Sequence, residues 1–213
     1  MLKGIIFDMD GVIINSSTLH GDAWKKTLEN FDLPLWKKYF DKNHGKSSLD
    51  FAKYYVEKGD LKINPEEICK LKKLNYLNEI YKIKPLEYVL DFIKLLYENN
   101  YSLALATSEN TETVSKIIDK FNLKNIFKII VTADDVTKTK PDPEVFLKAA
   151  NLLEINPKDC IVFEDAIDGI KAAKLAGIKC IGITTNYTKD KLNQADFVID
   201  SFKEISIDII NKL

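Results

Sequence analysis

The stretch Leu2-Lys3-Gly4-Ile5-Ile6-Phe7-Asp8-Met9-Asp10-Gly11-Val12 decides how the chain is read. Its apolar run through Phe7 has the composition of a parallel strand buried on both faces. Asp8 then falls where that strand ends, and Asp10 just beyond it. In open α/β sheets ligands bind at the carboxyl ends of the strands. Two carboxylates released there can divide the chemistry: one attacks and holds a metal, the other moves protons. An Asp after a strand also serves as a turn or N-cap residue, so the rest of the chain has to decide.

Further strand-like runs follow at residues 102–106, 129–131, 161–163, 180–183 and 197–199. Helical patterns lie between them at 86–99, 111–121, 144–153 and 167–176, with a helix-like tail near 202–213. This alternation predicts an α/β fold, a Rossmann-like parallel sheet between two layers of helices. Pro143 is placed like a first-turn proline, and Gly177 like a helix terminator. The gap between the first two strands is too long for one crossover helix. Residues 19–31, 49–58 and 65–82 within it carry apolar residues at helical spacing. The expected organisation is a core of residues 1–15 and 84–213 with an inserted α-helical cap domain at 16–83. Such an insertion would sit over the strand ends as a lid. A helical layer packed elsewhere on the core is the other arrangement.

Composition narrows the function classes. The 213 residues are 46% hydrophobic and 30% charged, which suits a globular protein with a real core. A formal net charge of -1 gives no general attraction to nucleic acid or to an anionic membrane. No apolar run approaches the roughly 20 residues needed to span a bilayer. No basic leader with a cleavage site precedes the first strand, so a cytoplasmic location is expected. Cys69, Cys160 and Cys180 have no metal-binding spacing and read as reduced thiols. The two histidines, His20 and His44, exclude a multi-histidine metal site. All 31 basic residues are lysine. A phosphate site here must therefore rely on lysine, backbone N–H groups, hydroxyls and metal, with no bidentate guanidinium clamp.

Three more loops follow apolar strands. Thr107-Ser108 leaves the second strand, where hydroxyls and backbone N–H groups can hold phosphate oxygens. Helix capping near Asn110–Thr111 is the alternative use of that segment. In Lys140-Pro141-Asp142-Pro143 the prolines stiffen the loop and hold Lys140 near a fixed place. An ammonium there can offset a carboxylate nucleophile and phosphoryl oxygens. Glu164-Asp165 leaves the strand at 161–163, and with Asp8 it makes an oxygen-rich site suited to Mg²⁺. Without a cation such crowded carboxylates would be forced partly protonated.

The ordered set Asp8-x-Asp10-Gly11-Val12, Thr107-Ser108, Lys140-Pro141-Asp142-Pro143 and Glu164-Asp165 resembles the haloacid dehalogenase superfamily of phosphoryl-transfer enzymes. The stretch Gly169-Ile170-x-Ala172-Ala173-x-x-Ala176-Gly177 is similar as well, and the likeness covers essentially the whole chain. Within the superfamily, the helical insertion and the His20…Ala23-Trp24 pattern resemble the β-phosphoglucomutase-like and sugar-phosphate phosphatase-like helical-cap subgroup. The resemblance implies that Asp8 attacks phosphorus to form an aspartyl phosphate, while Asp10 serves as general acid and then base. It implies phosphate contacts from Thr107, Ser108 and Lys140, and Mg²⁺ held by Asp8, the Asp10 carbonyl, Glu164 and Asp165. In the cap it points to His20, Lys46 and Lys72; a packing role is the alternative for His20, and Trp24 reads as cap core.

The chain departs from its relatives in three places. Asn15 stands where they usually carry Asp, Pro85-Leu86 replaces a Pro-Gly, and Ser48 falls about where the mutase uses an arginine to grip its second phosphate. A mutase must hold a phosphate at each end of a hexose, so lack of that clamp favours a phosphatase acting on a small phosphate ester, expected to be a sugar phosphate. A β-phosphoglucomutase-type isomerase is the alternative. A phospho-aspartate receiver uses similar groups, but it is shorter and lacks the helical insertion. A monomer with no macromolecular partner is expected.

Overall fold

The computed structural model describes residues 3–34 and 48–213. Leu2 of the first predicted strand and Lys46 of the predicted cap residues lie outside them. The chain divides into two compact units, Met1–Asn15 with Lys84–Leu213, and Ser16–Ile83.

In the first unit, six strands among the described residues form one sheet. They are β1 (Gly4–Phe7), β2 (Ser102–Ala106), β3 (Ile129–Val131), β4 (Cys160–Glu164), β5 (Lys179–Ile183) and β6 (Phe197–Ile199). The order is β3-β2-β1-β4-β5-β6, and every pairing is parallel. The order turns back at β1, which lies between β2 and β4. That is the topological switch point where open α/β sheets place their ligands.

The period-2 geometry of β1 explains its unbroken apolar run. Ile6 faces one layer, packing with Val145, Phe146 and Ala149 of helix Glu144–Leu153 and with Ile170 and Ala173 of helix Ile167–Leu175. Phe7 faces the other, where its ring stacks on Phe163 at 5.0 Å and Phe92 and Phe202 close the cluster. Gly4 has no room for a side chain: a Cβ there would meet Cys160 Sγ at 2.8 Å.

Local signals set the boundaries. Helix Ile167–Leu175 ends as predicted at Gly177 (φ +71), where Gly177 N–H donates to Lys174 O and Ile178 N–H to Ala173 O. This is the Schellman arrangement that glycine adopts without strain. Pro143 stands one residue earlier than expected, as the N-cap of helix Glu144–Leu153 rather than in its first turn. The helix predicted from residue 86 begins at Val89, because Leu86 N–H is held by Ile13 O and Tyr88 is left-handed (φ 63). The predicted tail is two pieces, a 3₁₀ turn at Phe202–Glu204 and a helix at Ile207–Lys212, separated by extended Ile205 and Ser206.

The chain leaves this unit at Asn15 and re-enters at Lys84, and the two crossings are paired. Asn15 N–H donates to Lys84 O at 3.1 Å, and Leu86 N–H donates to Ile13 O at 2.9 Å. The second unit has helices Ser17–Glu29, Ser48–Lys58 and Pro65–Glu79 among its described residues. Asn64 caps the third, accepting from Glu66 N–H at 3.0 Å, with Pro65 at its start. Trp24, Leu28, Phe51, Ala52, Tyr55 and Ile68 form its core. No helix among the described residues is long and apolar enough to cross a membrane.

Phe202 is 3% exposed and touches three aromatic rings. Phe202→Ala is expected to destabilise the first unit by about 3–5 kcal/mol. Urea unfolding followed by far-UV circular dichroism measures this. An unchanged midpoint would contradict the packing described.

Candidate active site

Four loops at the carboxyl edge of the sheet carry the predicted residues. Asp8 follows β1, and its own N–H donates to Phe163 O at 3.0 Å, which fixes the backbone of the first loop against β4. The chain then turns tightly, with Met9 O accepting from the N–H groups of Val12, Ile13 and Ile14. Gly11 at φ +77 makes that turn possible. It also makes room, since a Cβ there would overlap the Asp165 carboxylate.

Lys140 ties the loops together. Its Nζ donates to Asp8 Oδ1 at 2.6 Å and to Glu164 Oε2 at 2.8 Å, and it lies 4.6 Å from the centre of the Phe146 ring. The lysine side chain is 10% exposed, so the ammonium is largely removed from water. Its loop is organised from below by Glu144, whose carboxylate accepts from Thr137 N–H, Thr137 Oγ1–H and Lys138 N–H at 2.8–2.9 Å. Asp142 in turn accepts from Glu144 N–H at 3.1 Å, and the Lys140-Pro141 peptide is cis.

Glu164 Oε1 accepts from the N–H groups of Asp165 (3.1 Å) and Ala166 (3.0 Å), so both of its oxygens are engaged. Gly169 packs directly against this carboxylate, and any side chain there would displace it. Asp165 Oδ2 accepts from Asn186 Nδ2 at 2.6 Å. Asp8, Glu164 and Asp165 are all buried and offer oxygens lying within 4.8 Å of one another.

The electrostatics follow from that crowding. Burial pushes the Asp8 carboxyl up. Lys140 draws it back only in part, while Glu164 and Asp10 push it further. Asp165 is raised by burial, Glu164 and Asp8, against the opposing pull of Asn186 and Lys140. Burial alone would lower Lys140, but the charges of Asp8 and Glu164 outweigh it and keep the ammonium protonated. One ammonium does not neutralise this set. The oxygen-only donors and their unbalanced negative charge fit a hard divalent cation.

Thr107 is buried after β2, its N–H donating to Val131 O at 3.0 Å and its Oγ1 accepting from Glu109 N–H at 3.1 Å. Capping of the next helix falls to Asn110, which accepts from Thr113 N–H, so Thr107 and exposed Ser108 stand in the loop before it. In the helical unit, Lys72 Nζ lies 2.8 Å from His20 Nδ1, and the His20 ring stacks on Tyr76 at 4.3 Å. Lys72 is buried, near the Tyr76 and Trp24 rings. Trp24 belongs to that unit's core. Asn186, Glu144 and the spacing role of Gly169 escaped the sequence reading. The strand-end position of Asn186, after β5, was the signal available for it.

The chain is similar to known proteins over nearly its whole length. The model of the family described as haloacid dehalogenase-like hydrolase matches residues 5–183. A β-phosphoglucomutase of Bacillus subtilis is 28% identical over 217 residues, covering 99% of this chain and 95% of its own. A validoxylamine A 7'-phosphate phosphatase of Streptomyces hygroscopicus subsp. limoneus is 27% identical over 206 residues, covering 96% of each chain. The crystal structure of a HAD hydrolase, family IA, variant 3, from Entamoeba histolytica superposes with a TM-score of 0.90 at 28% identity, covering 99% of this chain and 98% of its own.

Removing the ammonium leaves two buried carboxylates facing one another. Lys140→Ala is expected to destabilise the first unit by about 3–5 kcal/mol in the presence of a chelator. Urea titrations read by circular dichroism check this, and a midpoint equal to that of the unaltered chain would show that Lys140 does not hold the cluster.

Proposed function

The chain belongs to the haloacid dehalogenase-like hydrolase family, and on that footing we propose that it is a Mg²⁺-dependent phosphatase acting on a small phosphate ester, a sugar phosphate in particular. The observation that carries this reading is the Lys140 bridge between Asp8 and Glu164, beside the three converging carboxylates. A nucleophile, a fixed cation and a set of hard oxygen donors meet there at the switch point of the sheet.

Asp8 is the nucleophile. Its carboxylate forms a bond to phosphorus as the ester P–O bond breaks, and Asp10 gives its proton to the departing oxygen. Asp10 then takes a proton from water as that water attacks the aspartyl phosphate, which frees Asp8 and inorganic phosphate. Lys140 stabilises the negative charge on the phosphoryl oxygens, and Thr107 and the Ser108 amide orient them. Asp8, Asp165, Glu164 and the Asp10 carbonyl would hold Mg²⁺, which supplies Lewis-acid neutralisation of phosphoryl charge. His20 and Lys72 of the helical unit, which we assign the role of substrate-selecting cap, choose among esters.

Arginine is absent from the chain. A phosphoryl shuttle between two hydroxyls of one sugar needs a firm grip on a second phosphate, and bidentate arginine is the strongest such grip. Water is therefore the acceptor in this reading. The similarity to a β-phosphoglucomutase makes the isomerase the activity to exclude.

With Mg²⁺, the protein is expected to release inorganic phosphate from one or more esters in a panel of sugar phosphates, and chelation should stop it. Asp8→Asn should lower turnover by at least about 10³-fold, on the scale of losing a covalent nucleophile, with an unchanged circular dichroism spectrum. Conversion of β-glucose 1-phosphate to glucose 6-phosphate without phosphate release would overturn the hydrolase reading, and near-full turnover by Asp8→Asn would overturn the nucleophile.

A further inference from the structure

Each carboxylate of the cluster has at least one oxygen already engaged. Lys140 holds Asp8 Oδ1, and Glu164 spends both oxygens on Lys140 and two backbone N–H groups. Asp165 is held differently. Among the described residues the one side-chain donor to its carboxylate is Asn186, whose Nδ2 lies 2.6 Å from Oδ2. The approach depends on Gly11, where an added Cβ would strike Asp165 and stand 2.9 Å from Asn186 Nδ2. The bare Cα of Gly11 thus leaves a slot in which the amide and the carboxylate meet.

We propose that Asn186 is a positioning residue that makes Asp165 a one-oxygen ligand and thereby biases the cation site toward Mg²⁺ over Ca²⁺. This deepens the proposed function and rests on its assignment of Asp165 as a metal ligand. Mg²⁺ takes single oxygens in near-octahedral geometry and keeps several waters. Ca²⁺ takes six to eight oxygens and readily accepts both from one carboxylate. An amide fixed on Oδ2 presents Oδ1 alone and locks the rotation of the carboxylate. It discourages the two-oxygen mode that Ca²⁺ prefers, while leaving the mode that Mg²⁺ uses. Partners of this kind around a metal ligand change affinity by about 10–100-fold when removed. Asn186 stands in an exposed loop position outside the core.

Isothermal titration of the whole 213-residue chain, free of substrate, with MgCl₂ and with CaCl₂ tests this. Asn186→Ala and Asn186→Leu, the second keeping the side-chain volume, are expected to bind Mg²⁺ about tenfold or more weakly while Ca²⁺ affinity holds. The affinity ratio then shifts about tenfold toward Ca²⁺, a change that general loosening of the loop would not produce. Equal weakening for both ions, or no change for either, overturns the proposal. Asp165→Asn separates the two levels. If it loses Mg²⁺ while the Asn186 variants keep the original ratio, the metal site stands and the role of Asn186 falls. If it binds Mg²⁺ as the unaltered chain does, the metal-site assignment falls and takes this proposal with it.

Discussion

Burying acidic groups at the edge of a parallel sheet is unfavourable unless positive charge is built in beside them, and Lys140 is where this chain builds it in. The ammonium reaches Asp8 at the end of β1 and Glu164 at the end of β4. It therefore joins the two central strands across the switch point. A surface ion pair contributes little to stability, but these groups are nearly withdrawn from solvent. Burial drives Asp8 and Asp165 toward protonation, and one lysine offsets that only in part. The residual imbalance is the physical basis for assigning a divalent cation to the site.

The backbone is arranged around that charge cluster. Glycine appears where side-chain atoms would collide with it: Gly11 against Asp165 and Gly169 against Glu164. Backbone N–H groups of Asp165 and Ala166 supply hydrogen bonds to Glu164 that water would otherwise provide. Glu144 clasps the loop that presents Lys140, so the position of the ammonium is set from the N-terminal turn of a helix whose other side is packed into the core. Behind this layer, the stacked rings of Phe7 and Phe163 hold adjacent strands in register where their carboxylates emerge.

The parallel sheet was legible because β1, β2 and β4 are short, apolar and separated by helical periods, and tertiary packing had no need to override that pattern. Asp8, Glu164 and Asp165 were legible because they stand at or just past the ends of β1 and β4, where the two strands release their chains at the same edge, and Lys140 because prolines flank its loop. Boundaries were read less well. The start at Val89 depends on a hydrogen bond from Leu86 to Ile13, a contact between residues 73 positions apart that no local pattern contains. Asn186 was missed for a related reason: a loop asparagine is common, and only the bare Cα of Gly11, 175 positions away, gives this one its partner. Lys46 falls outside the described residues, so that expectation stands where the sequence left it.

The proposed chemistry turns on Asp8 accepting a phosphoryl group within this cluster. A crystal structure grown with Mg²⁺ and fluoroberyllate, which mimics a phosphorylated carboxylate, examines that most directly. Beryllium is expected to be bonded to an Asp8 oxygen, its fluorides facing Thr107, the Ser108 amide and Lys140, and the cation shared with Asp165. Fluoroberyllate attached to another carboxylate, or a cation bound away from Asp8 and Asp165, would contradict it.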